Sequence, residues 1–304
     1  MNLKQLEYFV SVATHGSFSK AAMVLDIAQP ALSRHVRLLE ADLHVTLLTR
    51  NGRGVALTEA GKRLYEHGTM IQQLLERARE DTIATRDLPS GRVVLGLPPS
   101  FGRALTLPLV EAFRQTLPQA SLSIVEGLSA HLAEWINTGR VDLGLLLNPE
   151  SSNTLELLPI LSEPVCLVGL SDKFETRAKT CSFAELGKLP LILPERTHAI
   201  RKLLETQSAI SGIKLCVAWE VSSISSILDL VRAGYGYAIL PHSTVTLQGS
   251  VAPLELRAVI NPRMTSTLCL ATAAKKQATP LLKHTIGLLR EQLLNRETLL
   301  PPLC

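Results

Sequence analysis

Within the stretch AQPALSRHVRLLE, Ala28 to Glu40, four polar side chains recur at helical spacing: Gln29, Ser33, Arg34 and Arg37. Glutamine can form two hydrogen bonds with the edge of adenine, and arginine can do the same with guanine or bind a phosphate. The chemistry available to this stretch is the recognition of base edges. The same pattern also fits an amphipathic surface helix whose arginines are solvated, so the neighbouring elements must distinguish the two interpretations.

The helix that carries these side chains is predicted to begin near Ala28. Proline is tolerated in the first turn of a helix, where its missing N–H would have no partner, and Pro30 fits that position. Leu32, Val36 and Leu39 then form the buried face, opposite the polar one. Because alanine is a poor N-cap, packing or nucleic acid must hold the start of this helix.

Two shorter helical patterns precede this helix. The apolar residues between Leu3 and Ala13 lie on one face of a first helix, which should end near His15. Ser17 is a suitable N-cap for a second helix, whose buried face begins at Phe18. Two helices joined by a short turn form a helix-turn-helix.

A wing and a long helix are predicted to follow. The stretch LLTRNGRGVALT, Leu47 to Thr58, contains an Asn-Gly pair, which is typical of the turn between two short strands. Thr58 is a good N-cap for a helix that runs to about Asp87 and would be about 43 Å long. Its heptad-spaced apolar residues predict packing on another helix. We therefore expect it to join domains and to dimerise rather than to lie on the body of the protein.

From residue 92 onward, short apolar runs alternate with helical patterns. The predicted strands are Arg92–Leu97, Leu122–Gly127, Val141–Leu147, Val165–Leu170, Leu189–Pro194, Leu215–Val221, Tyr237–Pro241 and Thr267–Ala273. The predicted helices are Arg103–Thr116, Leu132–Thr138, Ala199–Gln207, Ile224–Ala233 and Pro280 to about Arg296. This alternation indicates α/β architecture with mostly parallel sheets. Because the series restarts after Cys166, we expect two lobes around a cleft that binds a small ligand.

Composition excludes several classes of protein. The 304 residues are 46% hydrophobic and carry a net charge of +4, which fits two or three folded domains and indicates no particular partner. No secretory signal and no apolar run long enough to span a bilayer are seen. The five cysteines are scattered, as in reduced cytosolic proteins. We expect a cytoplasmic protein with no membrane partner.

The chain contains no complete enzyme motif of the classes that its sequence partly resembles. SFSK, Ser17 to Lys20, has no accompanying S-D-N or K-T-G; GLSAH, Gly127 to His131, lacks the final glycine of a nucleophile elbow. GYGYAI, Gly234 to Ile239, lacks the third glycine of a dinucleotide loop, and no Cys/His cluster has zinc spacing. We expect no enzyme, no cofactor and no metal. A small-molecule-binding protein or enzyme whose α/β body does the main work remains the alternative.

The N-terminal segment resembles the winged helix-turn-helix of LysR-type transcriptional regulators. The matching features are L..F..V...GSFS.AA..L...QPALS..V..LE and LL.R..RGV.LTEAG, without a gap over about 65 residues. The remainder resembles the family's effector domain through GRVDLGLL and VRAGYGYAILP. Parts of the N-terminal sequence are also similar to members of the nitrogen-assimilation-control branch of the family. Two departures are Ala28, where many members have serine, and Leu48, where phenylalanine is common.

The resemblance implies an α/β chain with an all-α-like winged helix-turn-helix, a long linker helix and a two-lobed, periplasmic-binding-protein-like effector domain. The expected domains are 1–58 for DNA binding, 59–88 for the linker and dimerisation helix, and 89–304 for the effector domain. Its first lobe would span about 92–163 and 267–304, and its second about 164–266. The implied function is effector-responsive regulation of transcription by a homotetramer, a dimer of dimers that contacts double-stranded DNA and RNA polymerase.

Two sets of site residues are predicted. The DNA-contacting set lies at the starts of the second and third helices and on the wing: Ser17, Phe18, Ser19, Gln29, Pro30, Ala31, Ser33, Arg34, Arg37, Arg50 and Arg53. The effector-contacting set lies where strands end and helices begin: Ser100, Phe101, Gly102, Ser129, Asn148, Thr197, His198, Ser222 and Ser223. Each serine fits an ordinary N-cap equally well. Arg103, Arg196 and Arg201 would suit a carboxylate ligand, although a solvated arginine fits each of them better.

Overall fold

The computed structural model describes residues 1–51, 54–83, 89–174, 176, 178–248, 253–274 and 279–294. By internal contacts the chain divides into two compact units, Met1–Ile83 and Ala84–Cys304, each described here by itself. The elements of the first unit are α1 (Leu3–His15), α2 (Phe18–Val24), α3 (Gln29–Leu43), β1 (Leu48–Asn51), β2 (Gly54–Leu57) and α4 (Glu59–Ile83).

Local signals place the boundaries of the first three helices as predicted. α1 begins with a capping box between Asn2 and Gln5 and ends at Gly16, which has left-handed backbone angles. The Ser17 side chain accepts a hydrogen bond from the Lys20 amide at the start of α2. α3 begins at Gln29 without a side-chain cap at Ala28, and the amides of Ala31 and Leu32 donate to the carbonyl of Ala28 in its first turn.

A single apolar cluster holds the first unit together. The inward faces of α1, α2 and α3 meet there, and Leu32, Val36 and Leu39 of α3 are fully buried. The first half of α4 also belongs to this cluster, because Ala60, Leu64 and the other apolar residues of that half pack against it. The expectation that α4 would not lie on the body of the protein is therefore wrong for this half, although Thr58 does cap the helix through the amide of Gly61.

The second unit alternates strands and helices. Its elements are β3 (Gly91–Leu97), α5 (Pro99–Thr116), β4 (Ala120–Glu126), α6 (Ser129–Asn137), β5 (Leu143–Leu147), β6 (Leu155–Leu170), a 3₁₀ turn (Ser171–Lys173), β7 (Thr180–Ser182), α7 (Phe183–Leu186), β8 (Leu191–Leu193), α8 (Ala199–Ser211), β9 (Val217–Glu220), α9 (Ile224–Arg232), β10 (Tyr237–Pro241), α10 (His242–Thr246), β11 (Leu254–Ile260), β12 (Thr265–Ala273) and α11 (Pro280–Leu294). The helices predicted in this unit are all present, with ends shifted by up to four residues.

The strands form two lobes joined by β6. In lobe 1, the strand order is β4, β3, β5, β12 and the first part of β6; in lobe 2, the last part of β6 pairs with β10 and β11, and β10 continues to β8 and β9. The prediction of mostly parallel sheets is only partly correct, because β6 and β12 run antiparallel to the strands they contact.

The residues around the crossing point are polar and buried. Glu163 lies on β6 opposite Ser266 on β12, and both are inaccessible to solvent. The two carboxylate oxygens of Glu163 accept hydrogen bonds from the amide and the hydroxyl of Ser243, both at 2.5 Å. Burial raises the pKa of Glu163 to about 7, although the bonds from Ser243 oppose this shift.

The short helix α10 joins the two lobes. Leu247, directly after it, packs in the apolar cluster of lobe 1 with residues of α5, β3 and α11. Val245, two residues earlier, packs in a cluster of lobe 2 with residues of β8, α9 and β10. The sequence patterns did not predict α7 and α10, nor β7, β11 and the first half of β6.

Candidate functional site

The outward face of α3 is a polar surface supported by an apolar one. Pro30, Ala31, Arg34 and Arg37 are exposed and Gln29 is half-buried, whereas the opposite face is buried in the core. Because the two faces are separated by the helical period, packing of the inner residues fixes the direction of the outer side chains. This surface can offer two guanidinium groups and one carboxamide to a groove of DNA.

Two of the predicted contacts are less accessible than expected. Ser33 is only 6% exposed, because it lies at the border of the buried face, yet it still lines a shallow concavity with Gln29 and Arg34. Phe18 is half-buried and packs against the apolar cluster of the first unit. Ser17 caps α2 and is half-buried, and Ser19 is exposed.

Glu40 connects α3 to the wing, a contact that sequence reasoning missed. Its carboxylate accepts hydrogen bonds from the amides of Leu47 and Leu48, at 2.8 and 3.1 Å. At the other end of β2, the amide of Val55 donates to the carbonyl of Gly16, and a Cβ at Gly54 would lie 2.5 Å from the same oxygen. These contacts fix the strands of the wing. Arg50 lies on β1, and Arg53 lies outside the described residues.

A cleft with a volume of about 380 Å³ opens in the second unit between the two lobes. Four helices begin at its wall, since the first residues of α5, α6, α8 and α9 or the residues just before them line it. The positive ends of these helices converge on the cleft and favour a negative group there. Most of the remaining lining consists of serine and threonine hydroxyls and of proline and aliphatic side chains.

Most of the predicted effector contacts line this cleft. Ser100, Ser129, Asn148, His198, Ser222 and Ser223 do so. Thr197 instead lines a neighbouring cavity with Lys202 and Glu150. Phe101 is buried in the core of lobe 1, and the amides of Phe101 and Gly102 donate to the carbonyl of Pro98, so these two residues are not part of the cleft wall.

Several of the lining groups already have partners. Ser129 accepts a hydrogen bond from the amide of Leu147 at 2.9 Å, and Ser223 caps α9. Asn148 donates to Ser266 and accepts from the amide of Thr267. The hydroxyl of Ser100 has no partner among the described residues although the residue is 95% buried, and Oγ1 of the buried Thr244 has none either.

The ionisable residues near the cleft differ from expectation. Burial lowers the pKa of His198, and its Nδ1 accepts a hydrogen bond from the amide of Ile200, so this histidine is a neutral N-cap of α8. Arg201 is neither a ligand group nor solvated: it is buried and paired with Glu205 and Glu220. Arg103 lines the cleft and donates to Gln248 at 3.2 Å.

Five polar lining residues were missed by sequence reasoning: Glu126, Ser225, Thr244, Gln248 and Ser266. Glu126 lies near the end of a predicted strand and Ser225 near the start of a predicted helix, so both could have been found from these positions. Thr244, Gln248 and Ser266 lie around α10 and at the start of β12, which no local pattern connects with the cleft.

A winged helix-turn-helix and a two-lobed body with a polar cleft, in one chain, define a DNA-binding regulator that responds to a small molecule. The model of the bacterial regulatory helix-turn-helix of the lysR family matches residues 3–62, and that of the LysR substrate binding domain matches residues 86–294. The chain belongs to the LysR family of transcriptional regulators, and its relatives are regulators rather than enzymes.

Similar proteins support this assignment over nearly the full length. The nitrogen assimilation regulatory protein nac of Klebsiella aerogenes is 30% identical over 281 residues, which are 92% of this chain and 91% of that protein. Its namesake in Escherichia coli K12 is 31% identical over 282 residues, with the same coverage. The expected similarity to the nitrogen-assimilation-control branch is thus found.

Solved structures show the same fold. Full-length CbnR in complex with its target DNA has a TM-score of 0.70 at 25% identity and covers 96% of this chain and 100% of that one. A variant of full-length OxyR from Pseudomonas aeruginosa has a TM-score of 0.72 at 23% identity and covers 98% of this chain and 96% of that one. No described helix is both long enough and apolar enough to cross a membrane.

Proposed function

We propose that α3 reads base edges in the major groove through Gln29, Arg34 and Arg37. The observation that supports this is the separation of faces on α3: Leu32, Val36 and Leu39 are buried, and both arginines are exposed. Ser17, Ser19 and the wing, including Arg50 and Arg53, would contact the DNA backbone and set the orientation of α3.

The test compares a selected site with random DNA. A duplex enriched by the full chain from a random-sequence library serves as the specific probe. Gln29→Ala and Arg34→Ala should each weaken binding to it by about tenfold to a hundredfold, as expected for one bidentate base contact, and weaken binding to random duplex much less. Arg114→Ala, which removes an exposed charge from α5, is the matched control and should bind both probes normally. Equal losses on the two probes would exclude base reading by Gln29 and Arg34.

We further propose three functional segments: 1–58 for DNA binding, 59–88 for pairing two copies, and 89–304 for sensing. Lobe 1 of the last segment would comprise about 92–163 and 267–304, and lobe 2 about 164–266. Leu74 and Leu75 in the second half of α4 are exposed and support pairing. Pairing would place two copies of α3 on half-sites about one helical turn of DNA or a multiple apart. Two such dimers would form a homotetramer that contacts RNA polymerase in the cytoplasm.

The small molecule would bind in the cleft between the lobes, where Ser100, Ser129, Asn148, His198, Ser222 and Ser223 form part of the wall. Four helix N-termini around the cleft support a ligand with a carboxylate. Such a ligand can change the arrangement of subunits only through different affinities for the two arrangements. CbnR, solved with its target DNA, is a structural precedent for DNA binding by this fold.

A further inference from the structure

The charges on the wall of the cleft point to the chemical class of the ligand. Among the described lining residues, Arg103 and Glu126 are the charged ones, because burial keeps His198 neutral. The convergent helix N-termini add positive potential. A purely anionic ligand would satisfy these N-termini and Arg103, but it would meet the carboxylate of Glu126 as a like charge.

Glu126 has no hydrogen bond or ion pair with another described residue. It is the last residue of β4, and its carboxylate lies against the first turn of α5, where a Cβ on Gly102 would collide with Oε1. The glycine at this position therefore leaves room for the carboxylate beside α5. Glu126 is solvent-exposed, so a ligand that enters the cleft displaces water from its carboxylate. An ammonium group of the ligand can replace that water through a charge-assisted hydrogen bond.

Residues of α5 would bind the anionic group of the ligand. Ser100 and Arg103 lie three residues apart on this helix and both line the cleft, so they share one face. Ser100 is 5% exposed, and its hydroxyl makes no hydrogen bond to a described residue. Thr244 on α10 also lines the cleft, and its buried hydroxyl has no partner among the residues that the structure describes. Buried polar groups of this kind indicate a missing hydrogen-bonding partner.

We infer that the cleft binds a small zwitterion, with its ammonium group at Glu126 and its carboxylate at Ser100 and Arg103. The α-amino acids are the simplest members of this class, since they carry both groups on one carbon atom. A cleft of about 380 Å³ is large enough for a molecule of this size. This inference rests on the proposed function only in taking the cleft as the ligand site.

The experiment measures thermal unfolding of the full chain with each proteinogenic α-amino acid and with α-hydroxy acids of the same side chain. In the hydroxy acids a hydroxyl replaces the ammonium group. At least one amino acid should raise the Tm, because a ligand that binds only the folded state stabilises it. The matching hydroxy acid should give little or no shift at the same concentration.

Glu126→Gln should raise the ligand concentration needed for the same shift by about tenfold or more, as expected for loss of a charge-assisted hydrogen bond. Glu111→Gln changes an exposed carboxylate of α5 outside the cleft and should respond as the wild type does. The inference is overturned if no amino acid shifts the Tm, if the hydroxy acid acts equally well, or if Glu126→Gln responds normally.

Ser129→Ala separates this inference from the proposed ligand site itself. If an amino acid still stabilises Glu126→Gln at wild-type concentrations but not Ser129→Ala, the cleft remains the ligand site and the zwitterion is excluded. If neither substitution changes the response, ligand binding lies outside the cleft, and the proposed site fails as well. Binding of the unliganded full chain to the selected duplex tests the DNA-reading proposal separately.

Discussion

The outward surface of α3 and the cleft of the second unit are built in opposite ways. All of the polar groups proposed to read DNA bases lie on one helix, between Gln29 and Arg37, and one buried face orients them. The lining of the cleft comes from segments spread between Pro98 and Ser266, and no single element orients it. Substitutions in α3 should therefore affect one surface, whereas those in the cleft should combine structural and binding effects.

The largest difference is expected between substitutions on the two faces of α3, in the free energy of unfolding that each one costs. Leu32→Ala removes a fully buried side chain and should lower the free energy of unfolding of the first unit by about 2–5 kcal/mol. Leu38→Ala, on the same helix, removes a side chain that is 48% exposed and should cost much less. Urea denaturation followed by circular dichroism measures both. Similar costs would show that α3 does not have one buried and one exposed face.

Glu163 should make the stability of the second unit depend on pH. The folded chain holds the proton of Glu163 up to about pH 7, whereas an unperturbed glutamate releases it near 4.5. Folding therefore takes up a proton in this interval, and stability should fall as the pH rises through it, by up to about 3 kcal/mol. Denaturation at several pH values measures this slope.

Glu163→Gln should remove this dependence and leave the chain more stable than the wild type above pH 7. Glu156→Gln, which changes an exposed glutamate on the same strand, is the control and should keep the wild-type slope. An unchanged slope in Glu163→Gln would show that this carboxyl group is not the source of the dependence.

Substitutions of Glu40 test whether its contact with β1 positions the wing relative to the outward surface of α3. Glu40→Ala leaves the amides of Leu47 and Leu48 without their acceptor and should destabilise the first unit by about 1–3 kcal/mol. Glu40→Gln keeps an acceptor oxygen and should lose less. Both unfolding and binding to the selected duplex are measured. If the two variants behave alike in both measurements, these hydrogen bonds do not position the wing.

The smallest expected effect is a difference in stability between alanine substitutions of two serines in the cleft, Ser129 and Ser100. Ser129→Ala removes the acceptor of the Leu147 amide and should cost about 1 kcal/mol of stability without any ligand. Ser100→Ala removes no hydrogen bond to a described residue and should cost less. Both should keep DNA affinity and weaken the response to the ligand. Calorimetric unfolding of the unliganded chain measures the difference, which would vanish if the contact to Leu147 were unimportant.

The surface of α3 could be predicted because its determinants are local. The position of Pro30 and the spacing of Leu32, Val36 and Leu39 define where the helix begins and which face is buried. The burial of Ser33 was missed because the helical period predicts the direction of a side chain but not how far neighbouring side chains cover it. The contact of Glu40 with the wing was missed for a similar reason, since the two lie on different elements.

The cleft could be predicted only where a strand end or helix start marks it. Ser100, Ser129 and Ser223 carry such a signal and do line the cleft. Thr244 reaches it on α10, which joins the lobes, and Ser266 reaches it because it pairs with Glu163 on β6, the strand that crosses between the lobes. These positions follow from sheet topology and packing rather than from a local pattern. Phe101 was misassigned because it lies at a helix start but faces the core.

The packing of α10 has a mechanical consequence. Thr244 at the cleft, Val245 in one lobe and Leu247 in the other lie within a single helical turn, and Ser243 just before them is held by Glu163. If this turn moved with one lobe relative to the other, Val245 or Leu247 would leave its apolar cluster, so the packing of the turn opposes such a rotation. Because packed cores resist gradual deformation, we expect the angle between the lobes to change in a step, and a ligand in contact with Thr244 would act on this turn.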